Sequence, residues 1–351
     1  MIHWQAKPID LRSLDIADWA TLHRECDASP LLHPDFLSAA LREYGGRDTR
    51  MWTCRKDGRL LAATVLRTDG PFRIGTFQPS QAPIGFWLQR PNVPTSDLVT
   101  ALAARQPPWR LVLSITQQDP ALLDRPADTK LLRTSDYIDT ARITIATDWG
   151  TYWQARGSNL RQNIRKARNR LEKAGKCYEL RTITAVDEMA DAVRTYGEIE
   201  SRSWKASEGT AVSPDNDQGR FYTDLLMRFA RRDSACCYQL WIDNQVAATD
   251  LCILGRDELV ILKTTFDESF KDFSPAFLMR ETAFAALFAE SRYKRIEFYG
   301  RVMEWHRRWT DEIRTMYHVT QFRYPGVMRG RLVFRTRDGD ESTNRLRTDA
   351  L

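Results

Sequence analysis

"KDFSPAFLMRETAFAALFAE", Lys271 to Glu290, is the stretch that decides the fold of this 351-residue chain. It follows a strand-like run, "ELVILKTTF" (258–266), and so reads as the helix behind a central strand. Ser274 and Pro275 suit its first positions. A serine hydroxyl accepts an orphan backbone N–H, and proline has no N–H to leave unpaired. The second half is apolar almost all the way round, the mark of a helix enclosed on several sides. Its first turn carries no acidic residue, and Glu281 arrives only in the second. Ser-Pro is accounted for by an ordinary helix start; since such a start presents free N–H groups and about half a positive charge, the missing acid also permits an anion such as phosphate there.

The same strand-then-helix order occurs earlier in the chain. "FLSAALREYGGRD" (36–48) resembles "FYTDLLMRFARRD" (221–233) at an offset of 185. "DGRLLAAT" (57–64) resembles "DNQVAAT" (243–249), and "WRLVLSIT" (109–116) falls opposite "KRIEFYGR" (294–301) at that offset. Each copy reads as an amphipathic helix, a tight hairpin through Asp57-Gly58 or Asp243-Asn244, more strands, a second helix and a short apolar strand. The expectation is therefore two copies of one α/β unit, over residues 1–150 and 151–328, with 329–351 a poorly packed, mixed-charge tail. The arginines of that tail, Arg335 and Arg337, are a minor candidate for a small phosphate ligand. In the first copy the second helix starts near Ser96-Asp97, with an acid in its first turn, so the second copy is the one expected to keep an anion seat.

Bulk properties narrow the function. Apolar content of 42%, charged content of 28% and a net charge of +6 describe a globular chain without wholesale disorder. The six cysteines have no C-x-x-C spacing and the five histidines no metal-ligand pattern, so no metal is expected. No signal peptide pattern and no apolar run near the roughly 20 residues of a membrane span are present, so a cytoplasmic location is expected.

Four segments carry a family resemblance: "SRSWKASEGT" (201–210), "FYTDLL" (221–226), "LKTTFDESFKDFSPAFLM" (262–279) and "IEFYGRVMEWHRRWTD" (296–311). Together they resemble the GNAT-superfamily acyltransferases of the CelD-like, cellulose-biosynthesis type, relatives of the FemAB-like transferases. The resemblance implies tandem GNAT-like domains, each a mixed, mostly antiparallel sheet flanked by helices, the first degenerate and the second active. It implies that the helix at Ser274, Pro275, Ala276 and Phe277 takes the pyrophosphate of an acyl-CoA, acetyl-CoA first, with Lys263 nearby and pantetheine beside the strands. Two departures stand out. Ala276 replaces a glycine usual after Ser-Pro, and Trp305-His306 replaces a Tyr-Lys pair before the last arginines.

"SNLRQNIRKARNRLEKAGK" (158–176) reads as a basic helix, Ser158 or Asn159 capping its start and Gly175 its end. Leu160, Ile164, Ala167 and Leu171 form one narrow apolar stripe, which leaves the cations outward. Those cations are either a solvated face or, through Arg161, Arg165 and Arg168, an attraction for a phosphate-bearing acceptor. FemAB-like relatives carry a similar helix near their acceptor site. No aromatic residues interleave them, which argues against a sequence-specific nucleic-acid reader.

Acyl transfer from a thioester to an amine needs a deprotonated amine, a polarised carbonyl and a proton for the leaving thiolate. Backbone N–H groups of the central strand can polarise the carbonyl. Polar candidates are Trp204, Lys205 and Glu304 for binding the acceptor, Lys263 (able to pair with Asp267 instead), and Asp267, Tyr299 and His306 for catalysis. His306 is the expected base because an ordinary histidine titrates near pH 6.5, with Asp267 orienting the acceptor. The expected function is an acyl-CoA-dependent N-acyltransferase acting on a small-molecule or lipid-linked glycan precursor, with peripheral contact to membrane-bound polysaccharide machinery. Alternatives are a FemAB-like aminoacyl-tRNA-dependent transferase and an inactive, GNAT-derived binding component.

Overall fold

Both expected hairpins form, and for the expected reason. Asp57 and Gly58 (φ 50° and 79°) and Asp243 and Asn244 (φ 49° and 67°) adopt the paired left-handed conformation that closes a two-residue turn. They join β2 (Thr49–Lys56) to β3 (Arg59–Asp69), and β9 (Ala235–Ile242) to β10 (Gln245–Leu254). The computed structural model describes residues 2–10, 15–202, 212, 213, 215–290 and 292–329. Trp204, Lys205 and the tail from residue 330 lie outside these.

The first half runs β1 (His3–Pro8), α1 (Ala17–Cys26), α2 (Pro34–Tyr44), β2, β3, β4 (Arg73–Thr76), β5 (Trp87–Gln89), α3 (Thr95–Arg105), β6 (Val112–Gln118) and β7 (Leu132–Thr144). After α4 (Trp149–Ala155) and the basic α5 (Ser158–Lys173), the second half repeats the order. Its elements are β8 (Tyr178–Ile183), α6 (Met189–Arg202), α7 (Asp217–Ala230), β9, β10, β11 (Glu258–Phe266), α8 (Pro275–Glu290), β12 (Arg295–Phe298), α9 (Glu304–Trp309), β13 (Ile313–Phe322) and α10 (Pro325–Arg329). The repeated segments fall on α2 and α7, on the two hairpins, and on β6 and β12.

All thirteen strands join one mixed, mostly antiparallel sheet, in the order β1-β2-β3-β4-β6-β13-β7-β12-β11-β10-β9-β8, with β5 beside β3. At its centre the halves exchange strands. β7 of the first half pairs with β12 of the second, Ala141 opposite Phe298, while β13 of the second pairs with β6 of the first, Phe322 opposite Val112. Buried Trp19, Phe36, Tyr196 and Phe221, from α1, α2, α6 and α7, share one core on one face of the sheet. On the other face α3 packs over the first half, and α4, α5, α8 and α9 over the second.

Candidate functional site

The site begins with a fault in the strand pairing. β11 and β12 run parallel only from Glu258–Arg295 to Ile261–Phe298, after which they part. β11 continues to Phe266 paired with β10. Where the strands part, Leu262 is an extra residue, because Leu251 pairs with Lys263 and Cys252 with Ile261. Such a bulge shifts the side-chain alternation by one. Before it Leu259 and Ile261 face the α8 core. After it Thr264 meets Arg280 of α8, while Lys263 turns to α7, 3.4 Å from Gln218 and over the Tyr222 ring at 5.7 Å. The result is a notch walled on one side by the bulged strand.

The first turn of α8 lies at the end of this strand and contains no acid. Ser274 differs from the expected cap. Its φ of 48° and ψ of 52° are left-handed, and it closes the preceding 3-10 turn, Glu268–Phe273, instead of bonding forward with its hydroxyl. Left-handed backbone is uncommon for serine, so the approach to α8 is a strained corner. Pro275 is buried, whereas Ala276 and Phe277 are half-buried. Phe277 stacks on Trp309 at 6.1 Å, beneath the Arg308 guanidinium.

The basic helix flanks this corner. Leu160, Ile164, Ala167 and Leu171 are all buried, as their spacing requires. Gly157, not Ser158 or Asn159, occupies the N-cap position, and Gly175 (φ 65°) ends the helix. Arg170 donates to the Asp272 carbonyl at 2.6 Å, which ties α5 to the turn before α8. Arg168 is committed to Glu281 and Tyr178. Arg165 is exposed, and Arg161 is half-buried with an Nε that has no partner among the described residues.

The notch also holds a charge pair that sequence reasoning missed. Arg280 donates to Asp250 through Nε (3.1 Å) and Nη2 (2.9 Å), their side chains only 4% and 2% exposed. It also bonds Thr264 and lies 4.3 Å from the Trp305 ring centroid. A lone arginine in the apolar run "FLMRETAF" was the available signal, since a charge at a core position needs a buried partner.

The other candidates fall into separate places. Asp267 accepts from Ser269 N and Oγ, at 2.9 and 2.6 Å, and its Oδ2 lies 3.5 Å from Arg202. His306 is buried, stacks on Trp305, and accepts the Met303 N–H through Nδ1 at 2.9 Å. Burial first, and then the Arg280 charge, lower its pKa to about 4, so it caps α9 as a neutral ring and is not poised as a base near neutral pH. Glu304 is exposed and pairs with Arg308. Tyr299 points away from α8, donating to Asp119 at 2.7 Å in a network where Arg314 bridges Asp119 and Glu297. Burial, with Asp119 and Glu297 beside it, holds the Tyr299 hydroxyl well above its ordinary range. This network joins strands of the two halves.

Comparison with known proteins bears on the fold. Residues 158–307 match the family model described as an acetyltransferase (GNAT) domain. The chain is similar in structure to FemX (9% identity, 92% of this chain and 98% of that one, TM-score 0.55). It is also similar to a C-terminal DUF2156 domain from Agrobacterium fabrum (13% identity, 88% and 91%, TM-score 0.54). A third similar structure is L-PGS from Bacillus licheniformis (15% identity, 90% and 94%, TM-score 0.53). At these identities the likeness is one of fold, and the fold is GNAT-like. No curated protein sequence matches the chain. No described helix is long and apolar enough to cross a membrane.

Proposed function

We propose that the chain is an acyl-CoA-dependent N-acyltransferase, with acetyl-CoA the first candidate donor, acting on an amino group of a cell-envelope or exopolysaccharide precursor. One observation carries the reading: the bulge at Leu262, the parting of β11 from β12 and the acid-free start of α8 coincide.

The residues present fit such a donor. Of the first turn of α8, Pro275 has no N–H, and the Phe277 and Leu278 N–H groups donate to the Ser274 carbonyl. This leaves the Ala276 N–H, with Arg170 alongside, to offer positive potential to a pyrophosphate; Ala276 also keeps the approach free of a long side chain. Bound acyl-CoA would supply an acyl group already activated as a thioester. The bulged strand contributes backbone N–H groups turned out of regular pairing, suited to polarise a carbonyl. Asp267, at the end of that strand and already bonded to Ser269, would orient an incoming ammonium in competition with Arg202 before it loses its proton. His306 stacks on Trp305 and does not take that proton, which passes to solvent. As the amine nitrogen bonds to the thioester carbonyl carbon and the C–S bond breaks, the proton that the nitrogen sheds would go to the departing thiolate. Direct attack on the thioester, without a covalent enzyme intermediate, accords with the absence of a nucleophile–base pair among the described residues of the notch.

A second donor is favoured by a specific feature. Arg165, Lys166 and Lys173 on α5 have no acidic partner among the described residues, and a row of free cations beside α8 also suits a long polyanion such as aminoacyl-tRNA. Calorimetry with CoA and with charged tRNA, together with mass spectrometry of material retained on mild purification, separates the readings. Micromolar CoA binding supports the first. Binding of tRNA without CoA overturns it, and glycan binding without turnover marks an inactive binding component.

A further inference from the structure

The sheet has two ends, and the notch opens toward one of them. β11 is parallel to β12, and both β12 and β13 are antiparallel to β7, so the C-terminal ends of β11 and β13 lie at the same end of the sheet. β13 sits three strand spacings from β11, about 14 Å. At this end three neighbouring strands, β4, β6 and β13, meet in loops that display large aromatic side chains. Phe72 is 45% exposed, Trp109 59% and Tyr324 51%. The loops are fastened together at one residue: Leu111 donates its N–H to the Phe72 carbonyl, and its carbonyl accepts from Arg323 N. Exposed Pro71, Pro107 and Pro108 stiffen the tips.

The charge here is one-sided. Segments 69–73, 105–111 and 322–329 carry five arginines against one aspartate. Arg110 spends its donors on the carbonyls of Gly70, Pro71 and Arg73, and Arg323 on those of Ala103, Gln106 and Pro107. Carbonyls orient these guanidinium groups but leave their charge unneutralised. Exposed Arg105 adds another cation without an acidic partner among the described residues. Aromatic rings rimmed by unneutralised arginines match the headgroup zone of a bilayer, where tryptophan and tyrosine concentrate and anionic lipid attracts cations.

We infer that this end of the sheet is a peripheral docking surface for an anionic lipid bilayer, with Phe72, Trp109 and Tyr324 entering the headgroup layer. Docked so, the notch faces the membrane from above. Ile261 is level with Ile313, and β13 runs on to Phe322, so the bulge stands roughly 30 Å back from the aromatic tip and is reached only by the extended polar headgroup of a lipid-linked acceptor. That purpose rests on the acyl-transfer reading, whereas the docking itself does not. Vesicle binding requires neither donor nor acceptor, so its failure leaves the acyl-transfer reading standing, and a failure of CoA binding leaves the surface standing.

The test is co-sedimentation of the full chain with phosphatidylcholine vesicles, with and without phosphatidylglycerol. Expected are binding that depends on phosphatidylglycerol and weakens with salt, and a loss of roughly tenfold or more in the Phe72→Ser/Trp109→Ser/Tyr324→Ser variant. Arg105→Glu should weaken binding several-fold with the aromatic residues intact, which guards against a misfolded triple variant. Brominated lipid should quench wild type more than Trp109→Phe. Absence of binding to either vesicle, or equal binding by wild type and the triple variant, overturns the inference. So does self-association in sedimentation velocity that the triple variant abolishes while vesicles bind neither protein.

Discussion

The two halves part their strands at the same place and fill the gap differently. In the second half β11 and β12 part, and the space opens beside an acid-free helix start and a basic helix. In the first half β4 parts from β6 after Gly75, but the segment from Phe77 to Phe86 folds back into the gap. Gln78 accepts from the Thr116 hydroxyl at 2.6 Å, Gly85 N donates to the Gln117 carbonyl, and Gln118 donates to the Gly85 carbonyl. A side chain on Gly85 would meet the Thr116 carbonyl at 2.4 Å. Beyond the plug a cavity of about 790 Å³ remains near the start of α3, but Asp97 occupies that helix's first turn. One scaffold therefore yields a gap filled by its own chain beside a helix start with an acid, and a second gap, without such an insertion, beside a helix start that has none.

The largest expected effect concerns a charge found in the second half alone. Val65 stands in β3 at the position of Asp250 in β10, by the 185-residue offset. Asp250→Val should cost about 3–5 kcal/mol in urea unfolding, because Arg280 is left buried and unpaired. Removing both charges, Asp250→Val with Arg280→Leu, should restore most of that stability while damaging turnover. A single variant as stable as wild type would show that the pair is not the closed, buried ion pair described. Next comes the plug: Gly85→Ala should destabilise by about 1–3 kcal/mol through the clash with Thr116, with CoA affinity unchanged. Equal loss of CoA binding would place the donor in the first half.

Ser274→Asp carries the character of the α3 start over to α8. CoA affinity should fall about tenfold, near 1.4 kcal/mol, by calorimetry, with little change in stability because aspartate tolerates the left-handed corner. Unchanged affinity would remove the donor from α8. The smallest effect is expected at His306. Its folded pKa is lowered, so the unfolded chain takes up protons first as pH falls from 6.5 toward 4. Its contribution is thus fully present above pH 6.5 and is lost as pH falls through 4. His306→Gln should flatten stability across that window and change kcat at pH 7–8 less than about threefold. A hundredfold drop, with loss of a limb at pH 6–7, would restore histidine as the base.

Much of this was legible in the sequence where a residue type forces local geometry. The hairpins follow from Asp-Gly and Asp-Asn, the apolar stripe of α5 from its spacing, and the repeat from a common offset. Features set by pairing over long sequence separations were not legible. Nothing near Leu262 marks a bulge, since an extra residue shows only against a partner strand. The left-handed Ser274 is fixed by the 3-10 turn before it, which Ser-Pro alone does not reveal. His306 looked like a base because its type titrates near neutrality, but its neighbours, Trp305 and Arg280, decide otherwise. Tyr299 likewise belongs to an inter-half network, because its partner Asp119 comes from the distant first half.

The exchange of β7 and β13 has a consequence for the order in which the protein acquires its shape. On the ribosome, β6 emerges long before its neighbour β13, whose first residue is Ile313. Until β12 and β13 are made, the first half has an unsealed sheet edge beside β6, and β7 waits without its partners. Bare edges of this kind recruit other strands, and a nascent chain holds this one for roughly ten seconds or more at ordinary elongation rates. β13, the last strand among the described residues, closes the first half, so a ribosome that stalls before Phe322 releases a product with neither half complete.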